Sequence, residues 1–245
     1  MTSTLATDSR GAGGLPVLFA HSFAGDLTHW AESLAYLSAR RRVVAFDFSG
    51  HGDSPGAVGH YSYSELAKDI GTVADAQKLD GFVLVGHSMG AAIASAYAAA
   101  HAARVRALVL VDPPPAPGAI PAEQIRQLHD SLDQDPYAVV EQFWQQQMFI
   151  DTRAEVKLRL LAGLHRLSRT AAIQLTREAF AVDASHSLRR YAGPKHAIVT
   201  PRNDSPLSLH KAVPGVSHTI IRGTGHWIHL DKPAEFNSSL DEFLK

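Results

Sequence analysis

Six short runs of β-branched and aliphatic residues punctuate the chain: PVLFA from 16, RVVAFDF from 42, FVLVG from 82, ALVLVD from 107, HAIVT from 196 and HTIIRG from 218. Most are continuously apolar, the pattern of strands covered on both faces rather than half-exposed. Segments with helical character lie between several of them: DLTHWAESLAYLSA, SYSELAKDIGTVADAQK, MGAAIASAYAAAHAARV and the terminal KPAEFNSSLDEFLK. This alternation predicts an α/β fold, a mostly parallel twisted sheet with helices on both faces.

The alternation stops between Asp112 and Pro194. After DPPPAPG come four helix-like segments, roughly 121–133, 136–149, 153–165 and 168–181, with no strong strand signal. The proline cluster cannot continue a strand interior and marks a boundary. The expected organisation is therefore a core of residues 1–112 and 194–245 with a helical cap, 113–193, inserted between its halves. Within the cap, Val139, Val140, Phe143, Trp144 and Met148 can share one helical face, which is expected mainly to pack against the core. Trp144 and Met148 are the candidates for lining a substrate pocket. Arg153, Arg159, Arg166, Arg169 and Arg177 could receive a substrate carboxylate, although a solvated helix face also accounts for such a series.

Composition narrows the function classes. A formal net charge of -1 and a pI of about 6.9 over 245 residues supply no basic stripe for nucleic acid and no reason for attraction to an anionic membrane. The absence of cysteine removes disulfides, thiol nucleophiles and Cys-based metal sites together. The N-terminal MTSTLATDSRGAGG lacks the apolar core of a secretory signal and reads as a loosely held leader. MGAAIASAYAAAHAA is too rich in small residues, and too short, to span a bilayer. The expectation is a soluble, cytoplasmic protein whose partner is a small-molecule substrate; oligomeric state is not legible.

The stretch GFVLVGHSMGAAIA, residues 81–94, carries the chemistry. Ser88 stands where a buried strand gives way to a small-residue helix, the end of a parallel sheet at which reactive groups gather. Gly86 and Gly90 flank it in a G-x-S-x-G pattern, sparing a sharp strand-to-helix turn from Cβ collisions. A serine hydroxyl needs a base and an acid that orients the base. His226, in a Gly-rich loop after the last run, is the base candidate. Asp204, in the turn-rich IVTPRNDSP, is the acid candidate. Asp112 also ends a strand and is its rival. His226 and His229 are three apart, but no H-E-x-x-H pattern accompanies them, so neither metal nor cofactor is expected.

Together with HSFAGDLTHW, FDFSGHGDSP and GTGHWIHLDKPAEFN, these features resemble the α/β-hydrolase superfamily over nearly the whole chain. The resemblance implies an oxyanion hole made by the backbone N–H groups of Phe23 and Met89. Ser22 departs from it by replacing the glycine that usually follows the histidine. The region before Pro16 is short for the usual leading antiparallel strands, so one or both should be reduced or missing. The expected function is a cofactor-free serine hydrolase acting on small, mainly apolar carboxylic esters or lactones through an acyl-enzyme on Ser88. Two alternatives stay open: carbon–carbon bond hydrolysis of the meta-cleavage type, and a hydrolase-like ligand receptor with slow or incidental turnover.

Overall fold

The computed structural model describes residues 4–56, 60–117 and 121–245. Seven strands form one sheet in the order β1-β3-β2-β4-β5-β6-β7. They are β1 Thr7–Arg10, β2 Val17–Ala20, β3 Val43–Phe46, β4 Phe82–His87, β5 Val105–Val111, β6 Lys195–Val199 and β7 Val216–Ile220. All neighbouring pairs are parallel except β1 with β3. The predicted α/β sheet is thus the observed one, and six strands arise from the six apolar runs. The seventh corrects the reading of the leader: Thr7–Arg10 pairs antiparallel with β3 as a largely exposed edge strand. Its sequence, TDSR, has no apolar residue to betray it.

The two-residue period of the strands builds two cores at once. Leu18, Ala20, Val44, Phe46, Leu84, Leu108, Leu110 and Val199 point into one, and Val17, Phe19, Val43, Ala45, Val83, Val85, Val109, Val111 and Ile198 into the other. The parallel register, with Leu18 beside both Val44 and Leu84, keeps each set on its own face. In chain order the helices are α1 Ala31–Leu37, α2 Tyr63–Ala76, α3 Met89–Ala100, α4 Ala122–Leu132, α5 Pro136–Phe143, α6 Ala154–Arg166, α7 Arg169–Ala181, α8 Ala184–Arg190, α9 Leu209–Ala212, α10 Ile228–Asp231 and α11 Pro233–Phe243. α2, α3 and α8 lie together on one face of the sheet, and α1 packs with α11 on the other.

Between β5 and β6 the described residues form helices only, α4 to α8, with a π-helical turn at Trp144–Met148 continuing α5. The last of these helices, α8, packs against α3 of the core and buries Leu188 completely. Gly118, at the end of the proline-rich boundary, lies outside the described residues.

Chain direction reverses at the centre of the sheet: β2 leads by way of α1 to β3 on one side, and β4 leads by way of α3 to β5 on the other. A crevice opens at such a switch point, at the carboxyl ends of the strands. The loops after β2 and β4, carrying Phe23 and Ser88, both leave from there.

Candidate active site

Ser88 follows β4 with φ 51° and ψ -115°, a strained conformation for a residue with a Cβ. Its N–H donates to the Val111 carbonyl of β5 at 3.0 Å, anchoring the turn to the neighbouring strand. The flanking glycines are required by space. A Cβ on Gly86 would strike the Gly90 carbonyl, and one on Gly90 would strike the carbonyls of Ala20 and His21. Met89 opens α3 and is buried; a backbone N–H at this first helical position has no intrahelical acceptor. Phe23 is half-buried on the loop after β2, next to Ala24, whose φ is also positive at 55°. Ser22 turns its hydroxyl back onto the Phe23 carbonyl at 3.4 Å.

The carboxylate that meets His226 is Asp112. His226 Nδ1 lies 2.7 Å from Asp112 Oδ2, and the two side chains are only 12% and 5% exposed. The other oxygen, Oδ1, accepts from the Thr200 N–H at 2.9 Å and from its hydroxyl at 3.1 Å. With both oxygens engaged, the carboxylate plane is fixed, and it presents an acceptor to Nδ1.

Asp204, the acid expected from sequence, is not in this constellation. Its Oδ1 accepts from His210 Nε2 at 2.9 Å and from Lys211 Nζ at 2.6 Å. Hydrogen bonds from Lys211 and then His210 hold its carboxyl down at about 2. The physical reason is the position of the strands. Asp112 directly follows β5, beside β4, whereas Asp204 lies beyond a helical turn at Pro201–Asn203 after β6.

The loop of His226 is held from three sides. Fully buried His87, the residue before Ser88, donates from Nε2 to the His226 carbonyl at 3.0 Å, with ring centroids 4.7 Å apart. The His226 N–H reaches the Met148 carbonyl at 3.4 Å. Gly225 donates to Asp231 Oδ2 at 3.1 Å, while Asp231 Oδ1 accepts from the Arg153 N–H at 3.0 Å, tying the loop to the insertion. Burial raises the Asp231 carboxyl despite these bonds. Sequence reading passed over His87 as a mere member of the motif. Its signal was a histidine closing a strand, Phe82–His87, whose other residues are all apolar or glycine.

Trp144 and Met148 belong to the π-helical turn, a feature that recurs at functional sites. Trp144 is 3% exposed. Its ring meets Phe23 edge-on at 6.2 Å and Trp227 at 5.3 Å, so one side chain bridges the Phe23 and His226 loops. Met148 is half-buried against the same core.

Arg153, Arg159, Arg166, Arg169 and Arg177 are each engaged within the protein. Arg153 pairs with Glu155 and donates to the Leu230 carbonyl. Arg159 bonds Thr28, Arg166 pairs with Asp53, Arg169 caps the Asp133 carbonyl, and Arg177 pairs with Asp133 Oδ2. They are struts between helices and between cap and core, which withdraws the support they offered for a substrate carboxylate.

A family model of the alpha/beta hydrolase fold matches residues 16–178, and the chain belongs to that family. A dihydrolipoyllysine-residue acetyltransferase component of the acetoin cleaving system from Pseudomonas putida is 26% identical over 96% of this chain; the chain spans 65% of that relative's length. Among solved structures, Est816, described as an N-acyl homoserine lactone degrading enzyme, superposes with a TM-score of 0.84 at 24% identity, covering 98% of this chain and 96% of the other. A thermophilic esterase from Thermogutta terrifontis gives 0.82 at 22%, covering 98% and 92%. Among the described residues no helix is long and apolar enough to cross a membrane.

Proposed function

We propose that the protein is a serine hydrolase of small carboxylic esters or lactones, with Ser88 as nucleophile, His226 as base and Asp112 as the acid that orients it. The observation that carries this reading is the buried 2.7 Å bond from His226 Nδ1 to Asp112, at the end of the strand next to the one whose strained end carries Ser88. Asp112 keeps the proton on Nδ1 and leaves Nε2 as a lone-pair base. Nε2 takes the Ser88 proton as Oγ attacks the acyl carbon. The N–H groups of Phe23 and Met89 receive the developing oxyanion, an interaction typically worth a few kcal/mol per donor. His226 then returns the proton to the leaving alkoxide, and a water repeats the sequence in reverse to release the acid. Trp144 and Met148 wall the acyl side of this crevice. The ester and lactone chemistry named for the structural neighbours suits the same parts list, and the engaged cap arginines favour an uncharged substrate over a diketo acid.

Ser88→Ala, which removes one buried-edge oxygen from an otherwise unchanged turn, should retain the wild-type circular dichroism spectrum and lose covalent labelling by a fluorophosphonate together with ester turnover. Labelling that persists on the variant chain would remove Ser88 from the role. A panel of esters and lactones of graded chain length then ranks the substrate classes.

The same reading makes His87 a positioning residue. Leucine at 87 cannot donate to the His226 carbonyl, and losing a buried hydrogen bond costs about 1–3 kcal/mol. If that cost falls on the aligned loop, kcat should drop by roughly 10–100-fold with KM little changed, and glutamine, which keeps a donor, should recover part of it. Equal losses in both variants would mean that His87 only fills space.

A further inference from the structure

Away from Ser88, three possible metal ligands from three different segments converge at the β7 edge of the sheet: Asp204 of the loop after β6, His210 of α9 and His218 of β7. One donor atom of each lies within 4.8 Å of the other two. His210 Nε2 is 2.9 Å from Asp204 Oδ1, and the rings of His210 and His218 stand 4.4 Å apart between centroids with a 31° tilt. The His210 side chain is wholly buried, and its Nδ1 has no hydrogen-bond partner.

We propose that Asp204, His210 and His218 form a binding site for a divalent metal ion of the zinc type, which pins the 200–209 loop to the edge strand. Two imidazoles and one carboxylate are the borderline donors that suit zinc better than calcium or magnesium, both of which want oxygen. Three protein ligands leave the fourth tetrahedral position to solvent. Bonds of about 2.0–2.2 Å to nitrogen and oxygen require the donors to close up around the ion. His218 is exposed and Asp204 sits in a turn-rich loop, so two of the three have room to move.

A plain ion-pair network explains less of the arrangement. It accounts for Asp204 with Lys211 and His210, but it gives His218 no role and leaves the buried Nδ1 of His210 without a partner. A metal site uses both rings in their neutral form. Lys211 competes for the same oxygen of Asp204. Its side chain is 41% exposed and can withdraw into water when an ion takes its place. The segment is also free of other duty: its carboxylate, in the position the family resemblance assigns to the triad acid, does not meet His226. The proposal therefore stands or falls independently of the acyl-transfer reading.

The test uses the full chain, stripped with a chelator, desalted, free of any polyhistidine tag, and titrated with zinc chloride in a calorimeter. One ion per chain is expected, with a raised thermal unfolding midpoint in the loaded protein. His218→Ala, at an exposed strand position where folding is not at stake, should weaken binding by about 10–100-fold or more, and Lys211→Ala should strengthen it. Failure of the wild-type chain to take up one equivalent, or uptake that His218→Ala leaves unchanged, overturns the site.

Discussion

Asp112→Asn is expected to lower ester turnover by about 10⁴-fold while the protein remains folded, and Asp204→Asn to leave turnover close to that of the wild type. The asymmetry follows from which hydrogens each carboxylate meets. Thr200 directs two donors at Asp112 Oδ1, so an asparagine at 112 satisfies them only by placing its carbonyl there. Its NH₂ then faces His226 Nδ1, which must become an acceptor. The ring proton moves to Nε2, and the imidazole can no longer take a proton from Ser88. Shape is preserved, and the base is lost through its tautomer. At 204 the same change loosens a contact with Lys211 and His210 that lies away from His226, and such exposed pairs contribute little. Steady-state kinetics on the two purified variants decide the matter, and a severe Asp204→Asn beside a mild Asp112→Asn would reverse the assignment.

What the chain reveals by itself divides along physical lines. β2 to β6 were legible because they are buried over most of their length on both faces and are mostly apolar, and β7, half-exposed at the edge, through its β-branched residues; β1 was not, because an exposed edge strand held by backbone pairing to β3 needs no apolar side chain at all. Ser88 and His226 were legible as candidates because glycines flank the one and a Gly-rich loop carries the other. Gly86 and Gly90 are forced by the approach of Ala20, His21 and each other. The acid was not legible, since Asp112 and Asp204 both follow apolar strands and sit near prolines. The choice depends on which strand lies beside β4, a fact of sheet order. A local clue existed in His210 and Lys211, six and seven residues after Asp204, which supply it with hydrogen-bond donors of its own. α8 escaped notice because a seven-residue helix directly after α7 has no period of its own to detect.

The struts converge on one design. The loops that carry the chemistry leave the sheet at its switch point, and each is fixed by groups outside itself: Asp47 accepts from Leu27 at 2.5 Å and from Asp53 at 2.8 Å, linking the loop after β2 to the loop after β3. His21 accepts from the Phe48 N–H through Nε2 at 3.0 Å, which places its own proton on Nδ1, directed at the Ser22 carbonyl at 2.7 Å. Such bonds require neutral histidines, and the same histidines set the acid limit of the fold.

The chain should accordingly unfold cooperatively near pH 5. Burial depresses His21 to about 4 and His29 and His51 to about 3, with Arg159 adding to the effect at His29 and His21 at His51. His87 and His229 are driven well down by burial and by neighbouring imidazoles. In the unfolded chain each returns to an ordinary value of about 6.5. Unfolding therefore takes up protons at any pH between those values, and stability is complete above about 6.5 and falls as the pH drops toward the folded values. One group depressed to about 3 or 4 costs about 2 kcal/mol by pH 5, so His21, His29 and His51 together cost roughly 6 kcal/mol, within the whole stability of a typical domain at about 5–15 kcal/mol, and His87 and His229 add in the same direction. Asp47, Asp69 and Asp231 act with the opposite sign, since burial raises their carboxyls and acidification relieves that penalty. Far-ultraviolet circular dichroism against pH, with urea midpoints measured at each step, should show the midpoint falling steeply from neutrality with an uptake of several protons. A chain whose urea midpoint is unchanged between about pH 7 and 5 would mean that these histidines are already charged in the native state.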